Sequence, residues 1–428
     1  MIIFSALLLF LYTLVAWRNR EYAIILLVAA LPLYLIRFSL GPIPSTLLEG
    51  MISILFAVWL VRDRRFWCTC AVLWYRYRFL TLALSMFLIA ATISIFMSSD
   101  LRAALGVWRA YFIEPAAVFL VAFDVIRTKE QLSRMFCASV VSGVCIAAIA
   151  VYQRFTGWHI PAPWLEELRV TSIYSYPNAV GLYLAPIVPL ALCRFFEHIS
   201  ARKKIMAAVL VFCAIILFFA AIYFAKTEGA LVALAVVLPL MGLVWSMKTR
   251  IVTVGLCVVV AVFIFVSPPT LSVIQEKLLL SDWSGQVRQT TWKETGAMLV
   301  DHAVLGAGLA GYQNAMVPYH TAKYLEIFLY PHDIVLNFWS ETGLLGLLAF
   351  FLIVCAFFFL LFQSVRAGGK DAPSVRLYCM GLCGALLIIL IHGLVDAPYF
   401  KNDLSVFFWL LIAYAVIIHR SAYEVKNI

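Results

Sequence analysis

Residues 286–350 read QVRQTTWKETGAMLVDHAVLGAGLAGYQNAMVPYHTAKYLEIFLYPHDIVLNFWSETGLLGLLAF, the longest passage of this 428-residue chain that is not simply apolar. It holds a lone arginine, Arg288, ahead of a tryptophan-bearing helical stretch. A glycine-rich turn follows (Gly306, Gly308, Gly311), and then His332-Asp333 opens a helix that passes Glu341, Gly343 and Gly346. Along Gln286–Asp301, Arg288, Trp292, Thr295 and Leu299 recur at helical spacing and form one stripe. That stripe presents a guanidinium beside aromatic and apolar groups, a setting suited to bidentate phosphate binding. His332, at a helix N-terminus on a membrane edge, is the candidate general base.

Working outward, the rest of the chain is scaffold. It is 64% hydrophobic and 13% charged, far from the roughly 45–50% and 25% of a soluble domain. Continuous Leu/Ile/Val/Phe/Ala blocks of about the roughly 20 residues needed to cross a bilayer recur from end to end. They lack the dyad alternation of β-barrel strands. Spans are predicted at about 2–16, 22–38, 45–61, 79–97, 111–126, 135–152, 177–195, 205–225, 229–246, 251–267, 336–362, 377–396 and 404–418. The reading is an all-α polytopic membrane protein of about 12–13 helices, one transmembrane domain over residues 1–428. Met1 leads into an apolar run without a basic n-region, so no cleavable signal peptide is expected.

The net charge of +10 belongs to topology. Basic residues cluster on alternate loops: Arg18/Arg20, Arg62/Arg64/Arg65/Arg76/Arg78, Arg127/Lys129/Arg134, Arg194/Arg202/Lys203/Lys204, Lys248/Arg250, Arg366/Lys370/Arg376 and Arg420/Lys426. The positive-inside rule makes those loops cytoplasmic. Segments 98–110, 153–176, 268–335 and 397–403 are then external, and no nucleic-acid partner is needed to explain the charge. The external 268–335 loop, too apolar for a soluble domain, should lie as amphipathic helices on the bundle. All ten cysteines fall in spans or on the cytoplasmic side, and Cys68-Thr-Cys70 lacks the spacing of a zinc site.

Other candidates carry two readings each. Arg109, near the intramembrane Glu114, either binds substrate or pairs with that acid. Trp158, His159 and Trp164 form an interfacial aromatic belt or a sugar-stacking wall. Lys226, in the Lys226–Gly229 turn, meets a lipid phosphate or is simply solvated. No Asp-x-Asp is present, so no metal and no cofactor is expected.

The order Arg288, Trp292-Lys293, Asp301-His302, Leu305–Gly308, then His332-Asp333-x-x-Leu336 and Glu341-x-Gly343–Gly346, resembles the O-antigen ligase and O-antigen polymerase superfamily. Tyr176-Pro177-Asn178 and the closing His392–Leu411 segment are similar to it as well, so the likeness runs from about residue 100 to the C-terminus. It implies a GT-C-like, multi-span, inverting and metal-independent glycosyltransferase in the inner membrane, its active site facing the periplasm or cell exterior. The donor would be an undecaprenyl-pyrophosphate-linked glycan, and the acceptor a lipid or glycan such as lipid A-core. On this likeness His332 is catalytic and Arg288 binds pyrophosphate, with Lys226, Arg109 and Glu341 assisting on the substrate side. The chain departs from the family twice. Asp333 stands where members carry Asn, either raising the imidazole pKa or capping the helix. The family's second arginine falls on Thr227-Glu228-Gly229, with Lys226 as its candidate replacement. A repeat polymerase, a protein O-oligosaccharyltransferase and a glycan transporter remain as alternatives.

Overall fold

The computed structural model describes residues 2–41, 43–200, 204–367 and 372–424. Arg202, Lys203, Lys370 and Lys426 of the basic loops, and Pro42 of the Gly41–Pro44 turn, lie outside them. In chain order the helices are α1 (Ile2–Arg18), α2 (Arg20–Ala29), α3 (Leu47–Asp63), α4 (Phe66–Arg76), α5 (Arg78–Ile95), α6 (Leu101–Trp108) and α7 (Glu114–Val125). Then come α8 (Lys129–Thr156), α9 (Asn178–Leu184), α10 (Ile187–Ser200), α11 (Ile205–Phe224), α12 (Glu228–Trp245) and α13 (Met247–Val266). The last six are α14 (Pro268–Leu278), α15 (Trp283–Asp301), α16 (Tyr312–Met316), α17 (Ile334–Ala367), α18 (Ala372–Gly393) and α19 (Asn402–Glu424). Two short strands, β1 (Arg37–Leu40) and β2 (Ile43–Thr46), pair antiparallel.

Among the described residues ten helical segments are long and apolar enough to cross a membrane, and α1 is a shorter apolar helix. The chain is an all-α polytopic membrane protein. Its count falls below the expected 12–13 because of the first 63 residues. The expected 22–38 span is instead the ten-residue α2, a 3₁₀ turn over Leu31–Leu35 and the hairpin. Pro32 lies in the first turn of that 3₁₀ segment, where it has no N–H to continue the α2 ladder. The 45–61 span is α3, 17 residues long, which a Thr46–Glu49 capping box starts and Arg62-Asp63 ends.

The bundle is organised around α19, whose side chains from Leu404 to Ile418 are buried on every face. A helix apolar all round needs partners all round, and α7, α17 and α18 supply them. Trp409 stands in an aromatic cluster with Phe87, Phe119 and Tyr399. At the other extreme α13 buries no residue and packs mainly on α12.

The feature that positions the site is the break in α17. Thirty-four continuous residues would run about 50 Å, well beyond the roughly 30 Å hydrocarbon core. At Gly343 the backbone turns to φ 67°, ψ −176°, a region essentially reserved for glycine. The glycine-rich turn docks there: Ala307 N–H donates to Ser340 O at 2.6 Å and Leu344 N–H to Val304 O at 3.0 Å. The buried Glu341 carboxylate accepts from Ala310 N–H at 2.6 Å. A Cβ on Gly343 would stand 2.5 Å from Val304 O. The backbone groups freed by the break thus find partners in protein, the condition for irregular chain at membrane depth.

Candidate active site

Residues 268–333, between α13 and α17, hold α14, α15 and α16. The predicted stripe of α15 is covered: Thr295 shares a hydrogen bond with the Tyr312 hydroxyl at 2.7 Å, Leu299 packs with Ala307, Tyr312 and Met316, and Trp292 Nε1 donates to Pro331 O at 3.0 Å. Arg288 lies on the same stripe. Its Nε donates to Val395 O at 3.0 Å and its Nη1 to Ser284 Oγ at 2.8 Å. Asp282 caps α15 and receives Lys277 Nζ at 2.7 Å, while Lys277 also reaches Glu228 at 2.9 Å.

One residue after the Val395 carbonyl stands Asp396, buried and bonded from several sides. Its Oδ1 accepts from Ala397 N–H at 2.8 Å and lies 3.5 Å from His332 Nδ1. Its Oδ2 accepts from Asn178 Nδ2 at 2.9 Å, with His392 Nε2 at 4.0 Å. Burial opposes ionisation of Asp396, but the His332 hydrogen bond and the two imidazoles outweigh it and hold the carboxyl well below the usual range. A carboxylate beside Nδ1 orients the ring so that Nε2 points away from Asp396. His332 itself is about one-third exposed, and Phe328 packs edge-on against its ring. Its backbone φ is 53°, a left-handed conformation uncommon for histidine.

Asp333 is the N-cap of α17: its Oδ1 accepts from Leu336 N–H at 2.8 Å. Of the two roles open to Asp333 in the sequence, capping is the one this geometry shows; the carboxylate that meets the imidazole belongs to Asp396.

A second guanidinium near this pair is that of Arg169. Its Nη2 donates to Asn178 Oδ1 at 3.0 Å, so Asn178 bridges Arg169 to Asp396. Arg169 Nε donates to Ala225 O at 2.8 Å, Nη2 also reaches Lys226 O at 3.3 Å, and Trp164 stacks on the guanidinium with its ring centroid 5.0 Å away. Burial pulls the Arg169 pKa down, opposed by Glu167 and Glu228, and Arg288 is near enough to add its own repulsion. Arg169 Nη1 and Arg288 Nη2 are the terminal nitrogens without a hydrogen-bond partner among the described residues.

The remaining candidates lie elsewhere. Lys226 Nζ pairs with Glu167 at 2.9 Å, both side chains largely exposed; it is the Lys226 carbonyl, not the ammonium, that meets Arg169. Arg109 sits in a π-helical turn between α6 and α7 and is held by Glu49 at 2.7 Å, Glu114 at 3.3 Å and Pro44 O at 3.1 Å. Glu341 is spent on the glycine turn. His159 lies edge-on to Trp158.

Within electrostatic reach of Asp396, Lys401 Nζ has no hydrogen-bond partner among the described residues and rests on the Tyr174 ring at 3.9 Å, with Tyr176 and Tyr34 at 5.4 and 5.5 Å. Burial draws its pKa down, while Asp403 and Asp396 draw it back up. This is a desolvated ammonium held by ring faces and two carboxylates.

Spacing in the sequence singles out His332 and Arg288 as candidates, and the structure sets them beside Asp396 and Val395 respectively. Asp396 and Arg169 are candidates that only the structure adds, although Asp396 lies within the quoted His392–Leu411 segment and Arg169 eight residues before Pro177. Residues 212–351, from within α11 to just past the α17 break, match the family model of O-antigen ligase. The match takes in Lys226, Arg288, His332 and Glu341 and leaves Arg169, Asn178 and Asp396 outside. A comparison with curated proteins finds no match.

Proposed function

We propose that this chain, which matches the family model of O-antigen ligase over residues 212–351, is a membrane glycosyltransferase moving a glycan from a polyprenyl pyrophosphate, undecaprenyl in a bacterial membrane, to an acceptor hydroxyl. The observation that carries this reading is His332 oriented by Asp396, flanked by two guanidiniums that each keep a terminal nitrogen unengaged.

The acceptor oxygen attacks the anomeric carbon as the bond from that carbon to the pyrophosphate oxygen breaks. The acceptor proton passes to His332 Nε2, and the electron pair departs on the pyrophosphate. Asp396 stabilises the imidazolium that forms. Arg288 and Arg169 meet the charge that grows on the leaving group, in the way preorganised cations serve phosphate chemistry. Inversion follows from a single displacement on one face of the sugar. The reading places the protein in an inner membrane with His332 facing the periplasm or cell exterior.

The test is reconstitution in liposomes with an undecaprenyl-pyrophosphate glycan and candidate acceptors. His332→Ala should insert normally and lose transfer by about 10²-fold or more; a wild-type rate in that variant rejects the assignment. Product on a lipid or protein acceptor marks a ligase, and lengthening of the lipid-linked glycan marks a polymerase.

A further inference from the structure

The end of the bundle opposite His332 carries a second feature. Glu49, in the first turn of α3, bonds Asn402 at 2.9 Å and Arg109 at 2.7 Å, and so belongs to the end that holds Asp396 and Lys401. From there α3 runs 17 residues, about 25 Å, to Asp63. Here the α1–α2, α3–α4 and α7–α8 junctions converge around a cleft of about 360 Å³.

The charges around it do not cancel. Arg20 is held by Asp63 at 2.8 Å and Arg127 by Asp124 at 3.1 Å. The other Asp124 oxygen receives Trp59 Nε1 at 2.9 Å, and Glu21 is taken by Gln131 at 2.9 Å and Arg134 at 2.7 Å. Arg18 and Arg65 also line the cleft, and among the described residues neither has a carboxylate partner.

Depth is set by α4, which begins right after Arg65. Its 11 residues are too few to cross a bilayer. It buries only Thr69 and Leu73 and exposes Trp67, Val72, Trp74 and Tyr75. A short amphipathic helix showing Trp and Tyr outward lies in the headgroup plane. Arg62 over Trp17 and Arg78 over Trp74 repeat the pattern on both sides of it. Unpaired guanidiniums are thereby held where phosphodiesters are, beside apolar surface that acyl chains can cover.

We infer that this cleft binds the headgroup of an anionic phospholipid, with the Arg18 and Arg65 guanidiniums on its phosphate. A guanidinium fork matches a phosphodiester bidentately, and basic pockets between helices at this level take such headgroups. The nearby carboxylates favour a singly charged diester over a free phosphate dianion. The inference is independent of the transfer chemistry at the other end.

The experiment compares lipid retained by purified wild type and by Arg18→Gln/Arg65→Gln, using native mass spectrometry after exchange into mixed phosphatidylglycerol and phosphatidylcholine. Wild type should retain phosphatidylglycerol at least several-fold over phosphatidylcholine. The double variant should lose that preference, while Arg64→Gln/Arg76→Gln, equal in charge and not lining the cleft, should keep it. Equal retention of both lipids by wild type, or an unchanged preference in the cleft variant, overturns the proposal. Displacement of the lipid by millimolar inorganic phosphate assigns the cleft to a soluble anion and overturns it too. Should the cleft variant fail to fold, a photoreactive phosphatidylglycerol on wild type decides: labelling within residues 17–20 or 65–78 supports the site, and labelling only elsewhere rejects it.

Discussion

At the scale of single residues, the site depends on who holds Asp396. Its carboxylate is shared by His332, Asn178 and the Ala397 amide. Asp396→Asn keeps the shape but lets an amide N–H face Nδ1, which favours the wrong imidazole tautomer. The expected result is a fall in kcat of about 10²- to 10⁴-fold with little change in KM, read from initial rates over a series of donor concentrations; an unaltered kcat would remove Asp396 from the mechanism. The two cations near the Lys226 turn separate in the same assay. Arg169→Gln should raise KM for the lipid-linked donor about tenfold or more, the equivalent of about 1.4 kcal/mol of lost phosphate interaction. Lys226→Gln, which breaks only an exposed pair, should stay within about threefold. Reversal of that order would return the role to Lys226. These assignments also show where sequence reading stops. His332 and Arg288 declare themselves through local context, a helix start and a helical stripe. Asp396 meets His332 across 64 residues, Arg169 reaches the site through Asn178, itself 218 residues from Asp396, and no local spacing reports those contacts.

Among the elements, Glu294 of α15 pins residues 320–322 of the segment that leads to α17. Glu294 accepts from Thr321 N–H and Oγ1, both at 2.7 Å, from Ala322 N–H at 2.9 Å, and lies 3.1 Å from His320 Nδ1. Burial works against its charge, but these donors bring its pKa down to about 2. A depressed carboxylate contributes stability that is fully present above its unfolded value of about 4.3 and fades as pH falls from there toward about 2. Limited proteolysis should therefore find residues 318–331 protected at pH 7 and progressively cut below about pH 4. Glu294→Gln should be cut at pH 7 already, having lost about 1–3 kcal/mol of local stability; equal protection of the variant at pH 7 would show that the segment is held by something else. The α15 stripe was legible because helical periodicity is local. The α17 break was not: Gly343 within an apolar run reads as ordinary membrane helix until the 304–311 turn is seen to occupy the gap.

For the whole molecule, composition alone settled the class, and the apolar blocks from residue 79 onward placed ten of the spans. The N-terminal 63 residues resisted because Pro32 and the hairpin interrupt a stretch whose hydropathy is continuous. Topology is the property on which both sites depend. In a background lacking the ten native cysteines, single cysteines at Ser284 and at Arg64 should react with a membrane-impermeant maleimide from opposite sides of the membrane. Labelling of both from one side would undo the arrangement, whatever the chemistry.

The left-handed backbone at His332 has one more use. Glycine occupies φ 53° without penalty while alanine does not, so His332→Gly should fold at least as well as His332→Ala and leave a vacant space above Asp396. Free imidazole supplied in the buffer could then stand in for the missing side chain. Restored transfer in the glycine variant, scaling with the concentration of added imidazole and absent when Asp396 is also replaced by Asn, would be chemical rescue of a base the backbone had already made room for.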